Sequence, residues 1–150
     1  MPYILWMQTG ACSGDTMSLL CADRPSLEQL DLQYGVKLLW QPSLTADRSF
    51  GDVLAAVLAG DEKLDVLCIE GSLMVGPGNT GMFDTWKGRP KIDIVRQLAP
   101  LATDVVAMGT CAAFGGVHAA GMNPTDCTGL QFHKDTPGGL LGTAWRARSG

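Results

Sequence analysis

Four short apolar runs recur along the chain, at residues 3–7, 36–40, 64–69 and 104–108. Within each run, hydrophobic residues follow one another almost without interruption instead of alternating with polar ones. Uninterrupted runs of this length are typical of strands that are covered on both faces, as in parallel sheets. The pattern therefore predicts four central strands.

The segments between these runs carry apolar residues at helical spacing. Ser26 and Asp52 are candidate N-caps for two helices, and a third helix begins after Pro90 and ends before Pro100. Strands that alternate with helices predict a parallel sheet with right-handed crossovers. We predict an α/β fold in which residues 1–150 form one flavodoxin-like domain, a doubly wound parallel sheet with helices on both faces.

Cysteines follow two of the four predicted strands. Cys12 lies in a glycine-containing segment after the first strand, and Cys111 follows the fourth. Ligands of doubly wound folds bind at the carboxyl ends of the strands, so the two thiols are expected to meet at one edge of the sheet. A single such cysteine is more often a small core residue. Two at equivalent strand ends favour metal binding, although two thiolates fall short of a complete site.

Asp15 stands three residues after Cys12, where a Cys-x-x-Cys motif would carry its second thiol. One interpretation is a helix N-cap, because aspartate is among the best capping residues and a helical stretch follows. The other interpretation is that Asp15 is an oxygen ligand of a cluster, or that the cluster lacks a ligand at this position and contains three iron atoms. The sequence by itself leaves both interpretations open.

Composition and charge narrow the classes of function. The chain has 150 residues, 46% hydrophobic and 17% charged, which suits one domain with a sizeable core. A net charge of −4 and the lack of a basic run disfavour nucleic acid or an anionic membrane as a partner. No apolar stretch approaches the ~18 residues of a membrane span. No export signal precedes the first strand, so we expect a cytoplasmic protein.

The chain contains five cysteines, which in a reducing compartment act as metal ligands, reactive thiols or core residues rather than disulfides. Cys68 lies inside the third apolar run and is predicted to be a core residue. Cys21 follows a helical stretch and is expected to pack inside the protein or against a partner. Cys127 lies in a predicted loop and is assigned a structural role.

Two further motifs suggest chemistry that their surroundings do not support. Residues 76–81 match G-x-G-x-x-G, but no helix start follows, and position 101, where an acidic residue would be expected, is a leucine. A loop packed on a partner subunit explains these residues better. His118 could act as a base for Cys111, but neither it nor His133 has a residue to orient it. Glu70, which ends the third strand, is expected to hydrogen-bond loop amides or to tune a cluster.

Several segments, taken together and in order, resemble one family. They read LWMQTGACSG from residue 5, EGS from residue 70, GTCAAFGGV from residue 109, NPT from residue 123 and GLQF from residue 129. Along essentially its whole length the chain is similar to the N-terminal domain of nickel–iron hydrogenase small subunits. Residues 40–44 resemble the cytosolic group of this family, which contains uptake enzymes and hydrogen-sensing regulatory enzymes.

The resemblance implies that the chain carries a cluster and relays electrons. In this family the small subunit holds iron–sulfur clusters, whereas the nickel–iron centre that splits H2 belongs to a partner large subunit. Matching motif positions make Cys12 and Cys111 ligands of the proximal cluster, a 4Fe–4S cluster, or a 3Fe–4S cluster if Asp15 is not a ligand. The family's second ligand is a cysteine where Asp15 stands, and its fourth ligand lies a few residues beyond Gly150.

These departures make the chain, by expectation, a fragment that lacks the C-terminal cluster domain and binds a cluster poorly by itself. The leading function is electron transfer in a hydrogen-oxidising hydrogenase, with a large subunit and an electron acceptor as partners. The alternative is a hydrogen-sensing regulatory hydrogenase that contacts a signalling partner. A flavin or nucleotide binder without a cluster lacks a convincing phosphate loop. A related quinone-reducing complex subunit would carry adjacent cysteines where Ala11 and Cys12 stand.

Overall fold

Strands and helices alternate along the first part of the chain in the computed structural model, which describes residues 1–150. The strands are β1 (Tyr3–Gln8), β2 (Lys37–Trp40), β3 (Val66–Glu70), β4 (Leu73–Met74), β5 (Thr85–Trp86), β6 (Arg89–Pro90), β7 (Asp104–Met108), β8 (Cys127–Thr128), β9 (Phe132–His133) and β10 (Thr136–Pro137). The helices are α1 (Gly14–Leu20), α2 (Leu27–Leu32), α3 (Phe50–Ala59), α4 (Lys91–Leu98), α5 (Gly109–Phe114) and α6 (Gly116–Ala119).

The central sheet contains four parallel strands in the order β2-β1-β3-β7. Gln8 at the end of β1 pairs with Glu70 at the end of β3, which pairs in turn with Met108 at the end of β7. The carboxyl ends of these three strands are therefore level. The strand order reverses between β1 and β3, and in doubly wound folds such a point marks the ligand site. All four predicted strands are confirmed, with ends shifted by one or two residues.

Both faces of the sheet are covered, which is why its strands are apolar along their whole length. Side chains of a strand alternate between the two faces. Leu5 and Ile69 belong to a core of 19 buried residues that includes the apolar sides of α3 and α4. On the opposite face, Ile4 and Trp6 line an apolar groove of about 650 Å³ together with side chains of α1 and α2. The predicted placement of helices on both faces is confirmed.

The start of α3 corrects one predicted cap. The N-cap is Ser49 and not Asp52: the Oγ of Ser49 accepts a hydrogen bond from the N–H of Asp52 at 3.1 Å. The Asp52 carboxylate accepts one from the N–H of Ser49 at 3.4 Å. This reciprocal capping box satisfies two N–H groups at once, which favours the earlier start. The helix begins with Phe50, whose ring packs against Trp40 and Trp86 at centroid distances of 4.9 and 5.1 Å.

Two other predicted helix starts are confirmed. Ser26 caps α2 through a capping box with Gln29, and α4 begins directly after Pro90. The pairs β4–β8, β5–β6 and β9–β10 are antiparallel and have two residues in each strand, which is too short to leave a hydrophobic period in the sequence. None of the helices combines the length and the hydropathy that a membrane crossing requires.

Candidate metal-cluster site

The segments that carry Cys12 and Cys111 flank the carboxyl end of β3. Cys12 lies shortly after β1, and Cys111 lies in α5, which begins directly after β7. Because β1 and β7 pair with opposite sides of β3, the two segments reach the same edge of the sheet, on either side of Glu70. Cys12 is exposed and Cys111 is half-buried. Both thiols therefore lie at the edge that the sequence predicts.

Asp15 is half-buried in the first turn of α1 and does not cap it. The helix begins at Gly14, its N-cap is Ser13, and no side chain makes a capping hydrogen bond. The interpretation of Asp15 as an N-cap is therefore wrong. The physical reason is the left-handed backbone of Ser13, with φ at 64°, which turns the chain into the helix before Asp15 is reached. The carboxylate gains a favourable position near the helix N-terminus and keeps its oxygens available to a ligand.

Glycine backbone lies against all three candidate ligands, and most closely against Cys111 and Asp15. A Cβ on Gly116 would lie 2.5 Å from the Sγ of Cys111, and a Cβ on Gly109 would lie 2.6 Å from the Oδ2 of Asp15. Any side chain at either glycine would occupy the space of a donor atom. Gly109 stands two residues before Cys111, so the Asp15 carboxylate packs against the segment that carries the second thiol.

The candidate donor set consists of two thiols, the ligand type that iron–sulfur clusters use, and one carboxylate. No group of three or more His, Cys, Asp or Glu side chains is placed to hold one ion. A cluster has several iron atoms, each with its own ligand, so its ligands stand around it and need not converge on one point. Next to Cys12, a Cβ on Gly14 would lie 3.2 Å from the Sγ, so glycine leaves room at this corner also. Cys12, Asp15 and Cys111 are thus three separate candidate ligands at this edge of the sheet.

Glu70 forms the centre of a buried hydrogen-bond network behind this edge. It is 1% exposed, and its carboxylate accepts hydrogen bonds from the Nε1 of Trp6 at 2.9 Å, the Nε2 of Gln8 at 3.0 Å and the Oγ1 of Thr16 at 2.5 Å. The N–H of Thr16 donates to the other oxygen at 3.1 Å. Burial raises the pKa of this carboxyl, but the donors outweigh burial and hold its pKa below the ordinary value. Glu70 is therefore ionised and fixed beside α1.

The residues of this site lie in a segment that matches a known protein family. The sequence matches the family described as NADH ubiquinone oxidoreductase, 20 kDa subunit, over residues 12–141. The matched region covers most of the chain and contains Cys12, Asp15 and Cys111. The chain belongs to this family.

Within the 20 kDa-subunit family, the chain is similar to hydrogenase small subunits. It is 34% identical over 134 residues to the hydrogenase-2 small chain of Escherichia coli, a match that covers 87% of this chain and 35% of that protein. It is 32% identical over 132 residues to periplasmic NiFe hydrogenase small subunit 1 of Nitratidesulfovibrio vulgaris, covering 86% of this chain and 40% of that protein.

The chain is also similar to a solved hydrogenase structure. The actinobacterial-type NiFe-hydrogenase from Ralstonia eutropha H16 matches with a TM-score of 0.82 and 32% identity, covering 99% of this chain and 46% of that chain. This member of the 20 kDa-subunit family therefore spans less than half the length of these relatives. The resemblance to nickel–iron hydrogenase small subunits is confirmed. The cytosolic group is not confirmed, since one of the similar proteins is named as periplasmic, and it stays a prediction.

The other three cysteines of this family member have different environments. Cys68 is buried in β3, where burial raises the pKa of its thiol to about 12, and it is a core residue as predicted. Cys127 is buried in β8 opposite Met74, with its Sγ 3.0 Å from the Oγ1 of Thr125, so its structural role is confirmed although it lies in a strand. Cys21 is exposed directly after α1, where the helix has ended, so it does not pack inside this domain. The alternative, a contact with a partner, stays a prediction.

The rival motifs do not form the sites that they suggest. Gly81, the last glycine of residues 76–81, is followed by the β5–β6 hairpin and not by a helix, so this loop lacks the helix N-terminus that a dinucleotide fold uses for phosphate. The Nδ1 of His118 lies 2.8 Å from the Oγ of Ser72. The hydrogen-bond partner of His118 is therefore a serine of the β3–β4 turn and not Cys111, for which it would have acted as a base.

Sequence reasoning misses the residues that hold Glu70. The hydroxyl of Thr16 accepts hydrogen bonds from the Nε2 of Gln8 at 3.3 Å and from the Nε2 of Gln41 at 3.0 Å, and Gln41 is fully buried. The available signal is a glutamine at the end of β1 and another directly after β2. Polar side chains that are buried at strand ends need hydrogen-bond partners, so two of them predict a polar network.

Proposed function

We propose that the chain is the electron-relaying N-terminal domain of a nickel–iron hydrogenase small subunit and that Cys12, Asp15 and Cys111 hold an iron–sulfur cluster. The observation that carries the proposal is the arrangement of three ligand-type side chains around the end of β3, each against glycine backbone. The similarity to hydrogenase small subunits supports it.

Each candidate ligand has its own task. Cys12 and Cys111 supply one thiolate each from two loops, and thiolate sulfur is the usual ligand of such clusters. Asp15 supplies a carboxylate oxygen from the first turn of α1, which makes the cluster a 4Fe–4S cluster; without this ligand it is a 3Fe–4S cluster. When bound, the cluster supplies one-electron transfer. A 4Fe–4S cluster takes about four protein ligands, so one more comes from outside these three side chains.

The residues behind the ligands keep the site ordered. Glu70 accepts hydrogen bonds from the N–H and the hydroxyl of Thr16, the residue next to Asp15. These bonds fix the first turn of α1 and with it the direction of the Asp15 carboxylate. The ionised Glu70 also adds negative charge behind the site, which opposes the uptake of an electron there.

The partner is proposed to be a large subunit that carries the nickel–iron centre, because the relatives of this chain are named as small chains or small subunits. A hydrogen-sensing role would use the same ligands and would differ in its partner, a signalling protein instead of an electron acceptor. A cytoplasmic location is proposed from the resemblance of residues 40–44 to the cytosolic group, and cell fractionation checks it.

Iron and sulfide analysis tests the ligand assignment. The intact protein is purified anaerobically together with its large subunit and is expected to contain iron and acid-labile sulfide and to reduce an artificial acceptor under hydrogen. Cys12→Ala and Cys111→Ala should each lose the iron of this cluster, while iron bound elsewhere in the complex stays. Both should also lose this reduction, because each removes a thiolate ligand. Cys21→Ala is the matched control, since Cys21 is an exposed free thiol at the other end of α1, and it should keep both.

Wild-type iron content in both ligand variants would contradict the proposal. Electron paramagnetic resonance of the same preparations decides the role of Asp15. If Asp15 binds iron, Asp15→Cys should change the spectrum of the reduced protein because a thiolate replaces a carboxylate, and Asp15→Ala should favour a three-iron signal. Spectra identical to wild type in both variants would show that Asp15 is not a ligand.

A further inference from the structure

Ser72 and His118 form a contact that the proposed ligand set does not use. Ser72 is fully buried in the turn after β3, whereas His118 is exposed in α6. The Oγ of Ser72 lies 2.8 Å from the Nδ1 of His118 and donates to the carbonyl oxygen of Gly10 at 3.3 Å. Because a hydroxyl has one hydrogen, both contacts coexist when Nδ1 carries a proton and donates it to Oγ.

Ser72 is fixed to the loop that carries Cys12. The N–H of Gly10 donates to the carbonyl oxygen of Ser72 at 2.8 Å. In return, the N–H of Ser72 donates to the carbonyl oxygen of Gly10 at 3.1 Å. Gly71 packs directly on the same loop, since a Cβ at this position would lie 2.5 Å from the carbonyl carbon of Gly10. Ser72 and the Cys12 loop therefore form one unit.

His118 belongs to the segment that carries Cys111. Residues 115–116, which join α5 to α6, are both glycines with left-handed backbone, and the second lies against the Sγ of Cys111. Two successive glycines make a permissive joint, so α6 depends on tertiary contacts for its position. One contact is the buried methyl group of Ala119. Another is the hydrogen bond from His118 to Ser72.

We propose that His118 is a positioning residue, which sets the distance between the Cys12 loop and the Cys111 segment through its hydrogen bond to Ser72. The inference rests on the proposed function, because this distance matters when both thiols bind one cluster. β1 and β7 are not neighbours in the sheet, since β3 lies between them. The parallel ladder therefore does not join the two loops directly. The Asp15 carboxylate against Gly109 is one contact between them, and the Ser72–His118 hydrogen bond is another.

Substitutions on both sides of the bond separate its role from that of side-chain bulk. His118→Leu removes the donor, whereas His118→Asn keeps an N–H group close to the position of Nδ1. Ser72→Ala removes the acceptor. His133→Leu is the matched control, because His133 is the other histidine of the chain and is also exposed, in β9.

Cluster release into an iron chelator, followed anaerobically on the intact protein, is the main readout. We expect His118→Leu and Ser72→Ala each to speed release about tenfold, the lower end of the effect of losing partners outside the ligands. The double variant should be no faster than either single variant, because both remove the same bond. His118→Asn and His133→Leu should release iron at the wild-type rate. Of these single variants, only His118→Leu and Ser72→Ala should change the paramagnetic spectrum of the reduced protein.

The imidazole nitrogen shifts of His118 give a readout that needs no bound cluster, and they should show a protonated Nδ1. Unchanged release and an unchanged spectrum in His118→Leu, with normal iron in the wild type, would overturn the inference and leave the proposed function standing. The inference would also be overturned if His118→Leu and Ser72→Ala had additive effects on the release rate, or if His118→Asn released iron as fast as His118→Leu. The proposed function would again be unaffected. A wild-type protein without iron and sulfide would overturn the proposed function and this inference with it.

Discussion

The charge on Glu70 is almost completely removed from water, a change that costs several kcal/mol unless hydrogen bonds replace the lost hydration. Four donors from Trp6, Gln8 and Thr16 provide this replacement. The donors come from β1 and α1, so the carboxylate at the end of β3 connects these elements. At the scale of single residues, Glu70 is therefore both the most costly group to bury and the one whose partners position α1.

Acid should weaken this network in a predictable direction. Because the folded-state pKa of Glu70 lies below the ordinary glutamate value of about 4.3, ionised Glu70 stabilises the fold above that pH. The contribution is lost as the pH falls through the lower folded-state pKa. Glu70→Gln should reduce the free energy of unfolding by about 1–3 kcal/mol near neutral pH, because it leaves buried donors with poorer acceptors.

Urea unfolding of wild type and Glu70→Gln, at neutral pH and again in acid, checks this prediction. The difference in free energy of unfolding should shrink in acid. Glu28→Gln changes an exposed carboxylate of α2 and should stay within about 0.5 kcal/mol of wild type. A difference between wild type and Glu70→Gln that is the same at both pH values would contradict the assignment.

Two helices of this protein begin with the same kind of cap but contribute differently to its stability. α2 starts at a capping box of Ser26 and Gln29 and has no buried residue. α3 starts at a capping box of Ser49 and Asp52 and buries four residues in the core. At the scale of elements, an N-cap stabilises the whole fold to the extent that its helix is packed into the core.

Removal of the two caps should therefore have unequal effects. Ser49→Ala should lower the free energy of unfolding by about 1 kcal/mol, because α3 loses its first-turn hydrogen bond while its core contacts require the helix to form. Ser26→Ala, the matched control, should increase hydrogen exchange within α2 and change global stability by less. Urea unfolding and amide exchange measure the two effects. Equal losses of global stability would show that α2 is packed as firmly as α3.

The loops at the carboxyl edge of the sheet approach each other backbone to backbone. Gly71 has a φ of 99°, and a Cβ on it would lie 2.5 Å from the carbonyl carbon of Gly10. At the scale of the whole molecule, this contact holds the Cys12 loop on the turn after β3 and so shapes the candidate site.

Alanine at Gly71 should cost more than alanine at a left-handed glycine in open space. Gly60 follows α3 with a φ of 81° and has no atom within 4 Å of a built Cβ, so Gly60→Ala should cost about 1 kcal/mol of backbone strain alone. Gly71→Ala adds overpacking and should cost about 3 kcal/mol or more, together with loss of bound iron. Equal costs in thermal or urea unfolding would show that the two loops can separate freely.

Sequence patterns alone establish the four strands, three of the helix positions and the edge at which Cys12 and Cys111 lie. These features are local or periodic. An uninterrupted apolar run indicates a strand that is buried on both faces, and parallel strands place their carboxyl ends at one edge of the sheet. The motif likeness that pointed to hydrogenase small subunits is also a property of short segments. For these features the tertiary structure added the boundaries of each element and little else.

The side chains that support the site are identified by the folded structure and not by sequence patterns. Ser13, Asp15, Ser49 and Asp52 are all good caps by residue type, and the backbone conformation selected Ser13 and Ser49. The bond between Ser72 and His118 joins residues 46 positions apart, and neither hydrophobic periodicity nor a local motif predicts such a pair. Hydrogen-bond partners that come from different elements depend on how the elements pack, and packing is a property of the folded chain.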